Sequence, residues 1–243
     1  MPPPLKDHVA LVTGGTKGFG AGIAAKLAAA GARVWVTGRD AAALAQAARN
    51  AGIQVLRADA TVPADWDRVI AEIIGATGRL DILVNNAGGG VKIAPAAEQS
   101  DETIAASLAL NLTAAMYGCR RAAPIMQRQK SGIIVNISSV CSRHSWPGWG
   151  VYGAAKAGLE NFSKSLYLEL RPHGVRVTTV IPSWGATQFT NASGLGPRDA
   201  ATLEKCIQPS ELGQIVADLC SLPPHLCVQE TLIWPTVQDV SPL

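Results

Sequence analysis

Short apolar runs that end in glycine or asparagine alternate along this chain with longer stretches in which alanine, leucine and isoleucine return at helical spacing. HVALVTGG, from His8, is such a run, and GFGAGIAAKLAAAG after it has the alanines of a helix and Gly31 to end it. ARVWVTGRD reads as a second strand, residues 41–51 as a helix and IQVLRADA as a third strand. Pro63 suits the first turn of a helix reaching about residue 76, with Val69, Ile70, Ile73 and Ile74 on its apolar face. LDILVNNAGGG follows as a strand, and Ser100 and Asp101 open a helix expected to run to about residue 129, broken or ended near Pro124. GIIVNISS, a helix over residues 150–171 and GVRVTTVIP continue the alternation, and PSELGQIVADLCSLPP and CVQETLIW supply a last helix and strand. Strand and helix in turn predict an α/β fold, a doubly wound parallel sheet of about seven strands of the Rossmann type. Residues 1–243 read as a single domain, with residues 1–7 a flexible proline-rich tail.

Composition narrows the picture. Apolar residues make up 48% and charged ones 16%, enough hydrophobic material for a sheet covered on both faces. The net charge of +3 is spread along the chain without a basic run, so a nucleic-acid partner is not expected. Five cysteines match no CxxC or Cys/His metal spacing, so no metal is expected and a reducing compartment fits. MPPPLKDHVALVTGG has prolines where a signal peptide carries a basic region and an apolar core, and no apolar run is long enough to span a bilayer. A cytoplasmic protein with no membrane partner is the expectation.

The candidate chemistry concentrates between Ser139 and Lys156. Tyr152 and Lys156 are four residues apart at the head of a helix, so both side chains leave one face, a turn apart. A phenol exchanges protons poorly near neutrality unless a cation favours its phenolate, and Lys156 is placed to be that cation. Ser139 ends an apolar strand, where its hydroxyl can hold the oxygen that Tyr152 protonates.

These residues, with TGGTKGFG near the start, NNAG at Asn85 to Gly88 and the isolated Asn111, resemble the short-chain dehydrogenase/reductase family over nearly the whole chain. The resemblance implies hydride transfer between a nicotinamide and a carbonyl or secondary alcohol substrate, with catalytic Asn111, Ser139, Tyr152 and Lys156. Asn111 then holds a water beside the lysine, and Lys156 binds the ribose and biases Tyr152 toward phenolate. Gly14, Gly18 and Gly20 match the family's glycine turn, with Thr16, Lys17 and Phe19 in the same segment, and place a pyrophosphate at a helix N-terminus. Asp59 and Ala60 are implied at the adenine, and Asn86, Ala87 and Gly88 along the nicotinamide side. Three consecutive glycines from Gly88 require the backbone to pass close to something or turn sharply. Relatives usually read PG where this chain has Pro182 and Ser183; these two, Ile181 and Thr187 are the expected contacts to the carboxamide end.

Cofactor choice is read at the end of the second strand. NAD-preferring relatives usually carry Asp where Gly38 stands, whereas Arg39 and Lys17 can flank a 2′-phosphate, so NADP(H) is favoured. NAD(H) remains possible through Asp40. Trp146, Trp149, Trp184 and Phe189 are candidates for an aromatic wall, with Ser139, Trp146, Tyr152 and Trp184 expected at the substrate. Arg143 and His144 either bind a carboxylate or face water. Residues 188–206, with Gly194, Gly196 and Pro197, read as a mobile substrate lid. Relatives pair the two long helices across two-fold axes, which implies a homodimer or homotetramer. Alternatives are an NAD-dependent alcohol dehydrogenase of the same family, a sugar-nucleotide epimerase, for which the chain leaves little room, and a catalytically silent dinucleotide-binding regulator.

Overall fold

The computed structural model describes residues 4–196 and 199–238. Strands β1 (Val9–Thr13), β2 (Arg33–Gly38), β3 (Ile53–Arg57), β4 (Ile82–Asn85), β5 (Gly132–Ile137), β6 (Val175–Pro182) and β7 (Glu230–Ile233) form one sheet in the order β3-β2-β1-β4-β5-β6-β7. Every neighbouring pair is parallel. The predicted seven-stranded doubly wound sheet is therefore what the chain forms. The strand order reverses between β1 and β4, where such sheets open a crevice at their carboxyl ends.

Helices cover both faces. On one, α1 (Gly18–Ala29) and α9 (Pro209–Ser221) pack through Ile23, Leu27, Leu212 and Val216 on Val12, Val34 and Val84. On the other, α3 (Pro63–Thr77), α5 (Ala114–Gln129) and α6 (Gly150–Leu170) bury Trp66, Ile73, Met126 and Leu166 against Leu11, Leu83 and Ile134. Alternate residues of each strand thus feed opposite cores, and all five residues of β1 are buried. No helix among the described residues is long and apolar enough to cross a membrane.

Three local expectations are corrected. The helix expected over residues 101–129 does not break at Pro124; α4 (Asp101–Leu108) gives way to a π turn at Ala109–Thr113, after which α5 runs through Pro124 to Gln129. Pro124 is exposed, so the carbonyl that its missing N–H leaves unpaired sits on the watered side of the helix. The helix over residues 41–51 ends early: α2 is Ala41–Ala47. Within the expected flexible tail, Leu5 is 1% exposed and its N–H donates to the Ala30 carbonyl at 2.9 Å, so apolar burial pins this stretch to the core. Residues 1–3 of that tail lie outside the described residues.

Candidate functional site

A cavity of about 820 Å³ runs along the carboxyl ends of the strands, from Asp59 beside β3 to Tyr152 on α6. Its floor at one end is the turn between β1 and α1. Gly14 and Gly18 hold φ of +62° and +50°, which side chains disfavour, and a methyl built on Gly20 would lie 2.3 Å from the Gly14 carbonyl oxygen. Lys17, the N-cap of α1, makes no side-chain cap bond, and Gly18, Phe19 and Gly20 of the first helical turn line the cavity. An unfilled helix N-terminus between glycines is suited to an anion.

Thr16, Arg39, Asp59 and Ala60 line the same end, and Thr187 reaches across the mouth to Gly18. The charges here are paired. Lys17 lies 3.5 Å from Asp40, and Arg39 lies 3.6 Å from Asp59. Asp40 also caps α2, accepting from the N–H groups of Ala42 and Ala43 at 2.9 and 3.1 Å, and these bonds hold its carboxyl below the usual range. Asp59 accepts from the N–H and hydroxyl of Thr61 at 2.9 and 2.7 Å. One oxygen of Asp40 is thereby committed to its own helix, while the other faces Lys17 at the edge of the cavity.

Asn86, Ala87 and Gly88 form the middle of the wall. The Thr13 hydroxyl accepts from the N–H groups of Asn86 and Ala87 at 3.1 and 3.0 Å, and the Asn86 amide donates back to the Thr13 carbonyl at 2.9 Å. These bonds tie β4 to β1 at the switch point. A methyl on Gly88 would lie 3.0 Å from Asn111 Oδ1 and 3.3 Å from Lys156 Nζ, and one on Gly90 only 1.9 Å from the Ser193 oxygen. The glycine run is therefore a place of close approach, as expected. Asn111, in the π turn and 1% exposed, accepts from the Gly89 N–H and donates to the carbonyls of Gly89 and Ser107 at 2.9, 2.9 and 3.1 Å. Its side chain clamps the glycine loop.

Ser139, Tyr152 and Lys156 meet at the opposite end of the cavity. Lys156 Nζ donates to the Ile137 carbonyl at 2.9 Å and lies 5.8 Å from the centre of the Tyr152 ring. Burial brings the lysine down to about 8. Burial also pushes the Tyr152 phenol far above its ordinary range, against the pull of a hydrogen bond with Ser139. Loss of water around the ring is the largest cause of this shift.

Aromatic rings close this end. Trp149 and Phe189 stack at 6.0 Å with planes 6° apart, and both meet Tyr152 edge-on at 5.8 and 5.5 Å. Phe189 begins α7 (Phe189–Ala192), and with α8 (Ala200–Lys205) this helix makes up most of the expected lid, of which residues 197 and 198 lie outside the described residues. Trp146 and Trp184 continue the wall. Arg143 follows neither expectation: its guanidinium bonds Glu160 at 3.1 Å and also Glu230, whose other oxygen pairs with Lys164 at 3.1 Å. His144 packs on Trp234 and Trp146.

A family model described as short chain dehydrogenase matches residues 8–196, which span the glycine turn, Asn111 and the Ser139–Tyr152–Lys156 cluster. The chain belongs to the short-chain dehydrogenase family. It is 31% identical to a serine 3-dehydrogenase of Agrobacterium fabrum, covering 94% of each chain. An NADP-dependent 3-hydroxy acid dehydrogenase of Escherichia coli is 30% identical, over 97% of this chain and 98% of that one. A solved closed form of serine dehydrogenase complexed with NADP+ superposes with a TM-score of 0.89 at 30% identity, over 97% and 98% of the two chains.

As a short-chain dehydrogenase the chain departs from the usual pattern at Ser183, and its C-terminal segment accounts for the change. Gln238 Oε1 accepts from the Ser183 hydroxyl at 2.5 Å and the Trp184 N–H at 3.2 Å, so the backbone after β6 is held by a side chain. Gln238 lines the cavity, as do Leu110, Cys141, Gln188 and Thr190, none of which the sequence pattern singles out. Cys141 has a legible signal, two residues after Ser139 on the same loop; burial pushes its thiol up while the Ser139 hydroxyl and the Lys156 charge pull it down. Gln238 has none, because it arrives from beyond β7. Ile181, offered as a carboxamide contact, is buried.

Proposed function

We propose that this short-chain dehydrogenase is an NADP(H)-dependent oxidoreductase that interconverts a carbonyl compound and its secondary alcohol, with Tyr152 as general acid and base. The carrying observation is that one cavity joins the uncapped α1 N-terminus to the Ser139–Tyr152–Lys156 cluster.

The residues present fit a dinucleotide. The glycine turn leaves room for a pyrophosphate where a Cβ would collide, and the α1 N–H groups supply donors for it. Arg39 and Lys17 are within reach of a 2′-phosphate, whose charge competes with Asp59 and Asp40 for them. Relatives that carry NADP in their names, or hold it in a solved complex, support this choice. When bound, the nicotinamide supplies or takes up the hydride.

The chain's own groups manage the proton. In reduction, Tyr152 gives its proton to the carbonyl oxygen as that oxygen gains charge, and Ser139 donates a hydrogen bond to the same atom. A phenol is in the donor form near neutrality, and burial favours that form further. Lys156 holds the ribose and supplies the positive charge that stabilises the phenolate left behind. Asn111, by fixing Gly88 and Gly89 beside Lys156, orders the polar path through which the proton is replaced. Apolar walls exclude water from the reacting atoms.

NADPH oxidation followed at its absorbance with a panel of carbonyl compounds tests the reading. Carbonyl-dependent turnover is expected; cofactor binding without turnover of any compound in either direction would leave a dinucleotide-binding regulator instead.

A further inference from the structure

We infer that the substrate is an uncharged aryl ketone or benzylic secondary alcohol whose ring lies against Trp149, and not a hydroxy acid. This rests on the oxidoreductase reading and names the substrate class of the same site. The geometry begins with Trp149 and Phe189, whose stack at 6.0 Å and 6° shows that the indole face takes a flat six-membered ring. That face lies next to the phenol that handles the proton, 5.8 Å from ring to ring. A substrate ring seated there in place of, or beside, Phe189 carries a directly attached carbonyl to the Tyr152 and Ser139 oxygens. Phe189 sits on the short helix α7, between loops, and is the ring best able to yield.

Charge points the same way. Among the described residues that line the cavity, the cations are Lys17, Arg39 and Lys156. Lys17 and Arg39 sit at the far end with Asp40 and Asp59, and Lys156 is turned to the Ile137 carbonyl. Arg143, which the sequence places between Ser139 and Tyr152, is held by Glu160 and Glu230. Glu160 is 6% exposed and also accepts from the Ser138 hydroxyl at 2.9 Å, so this guanidinium is anchored within the fold. A carboxylate entering the aromatic end gives up its water and faces the negative ring faces, and the one cation at that end, Lys156, is already bonded to the Ile137 carbonyl. The serine and 3-hydroxy acid dehydrogenases among the relatives are named for acids, so this chain differs from them in what it admits.

The reaction balances as hydride added to the carbonyl carbon and a proton from Tyr152 added to its oxygen, with NADPH oxidised to NADP+. The test measures kcat/KM for acetophenone and butan-2-one with NADPH, and for 1-phenylethanol, L-serine and 3-hydroxybutyrate with NADP+. Acetophenone and 1-phenylethanol are expected to exceed their non-aryl counterparts by about tenfold or more, a difference on the scale of one buried aromatic contact with its ring area. Trp149→Leu, which keeps apolar bulk, should lower the aryl-to-aliphatic ratio by about threefold to tenfold, and Trp149→Phe should restore most of it. Preference for L-serine or 3-hydroxybutyrate, or a ratio unmoved by Trp149→Leu, overturns the aryl assignment and leaves the oxidoreductase standing. Turnover of none of the five compounds overturns the aryl assignment, and the wider carbonyl panel then decides the oxidoreductase reading separately.

Discussion

The ammonium of Lys17 lies 3.5 Å from the carboxylate of Asp40, tying the glycine turn to the first residue after the Gly38–Arg39 step. With Arg39 set 3.6 Å from Asp59, both cations available to a 2′-phosphate already have an anionic neighbour. Both cations are solvent-exposed and loosely paired, so a phosphate of nearly two charges displaces these pairs at small cost. NADPH is expected to exceed NADH in kcat/KM by about tenfold to a hundredfold, and Arg39→Ala to remove most of that margin while leaving NADH nearly unchanged. Gly38→Asp should reverse the preference; a methyl there would lie 3.1 Å from the Thr16 side chain, which can turn aside. A wild type that prefers NADH would hand control of the pocket to Asp40.

Tyr152→Phe should keep the fold and the cofactor affinity and lower turnover by about a hundredfold to ten-thousandfold. The ring contacts with Trp149 and Phe189 survive the change, so only the proton is lost. Cofactor titration by fluorescence together with single-turnover rates separates the two effects, and near-normal turnover would take the phenol out of the mechanism.

Lys156 predicts a particular dependence of stability on pH. Its pKa falls from 10.5 to about 8 on folding because of burial, so between these values the unfolded chain binds the extra proton. Below pH 8 both states carry the charge and burial destabilises the fold by a constant amount; as pH rises through this window the penalty is relieved. Relative to Lys156→Met, the wild type should gain on the order of 1–2 kcal/mol between about pH 8 and pH 9.5. Urea unfolding of both proteins at the two pH values measures it, and parallel pH curves would mean that the lysine is not desolvated.

Asn111→Ala should cost about 1–3 kcal/mol, because the Gly89 N–H and two carbonyls lose buried partners, and it should also lower kcat. Asn111→Asp keeps the acceptor and loses the donors, so it should rescue little. Chemical unfolding with parallel turnover measurements checks both; a variant as stable and as active as the wild type would show that the clamp is dispensable.

Assembly is a further expectation. Leu168 of α6 is 62% exposed, and Ala154 and Ala157 of the same helix are exposed too. A homodimer or homotetramer paired through α5 and α6 should appear in sedimentation at micromolar concentration, and Leu168→Glu should weaken it. A monomeric wild type would contradict the pairing.

The sequence by itself determined the fold class and the motif residues that share one cavity. Apolar runs of strand length alternating with helical periodicity have one doubly wound solution, and glycines, asparagines and the Tyr152–Lys156 pair fall where the strand ends and helix starts must be. Those features are local, set by backbone sterics and by spacing along one helix. Only the tertiary structure decided the charges and the walls. Arg143 looked available until Glu160 from α6 and Glu230 from β7 closed on it, and Gln238 reached Ser183 from the far end of the chain. Tyr152 and Lys156 are shifted by burial beneath loops distant in sequence, since desolvation depends on everything packed around a group and not on its neighbours along the chain.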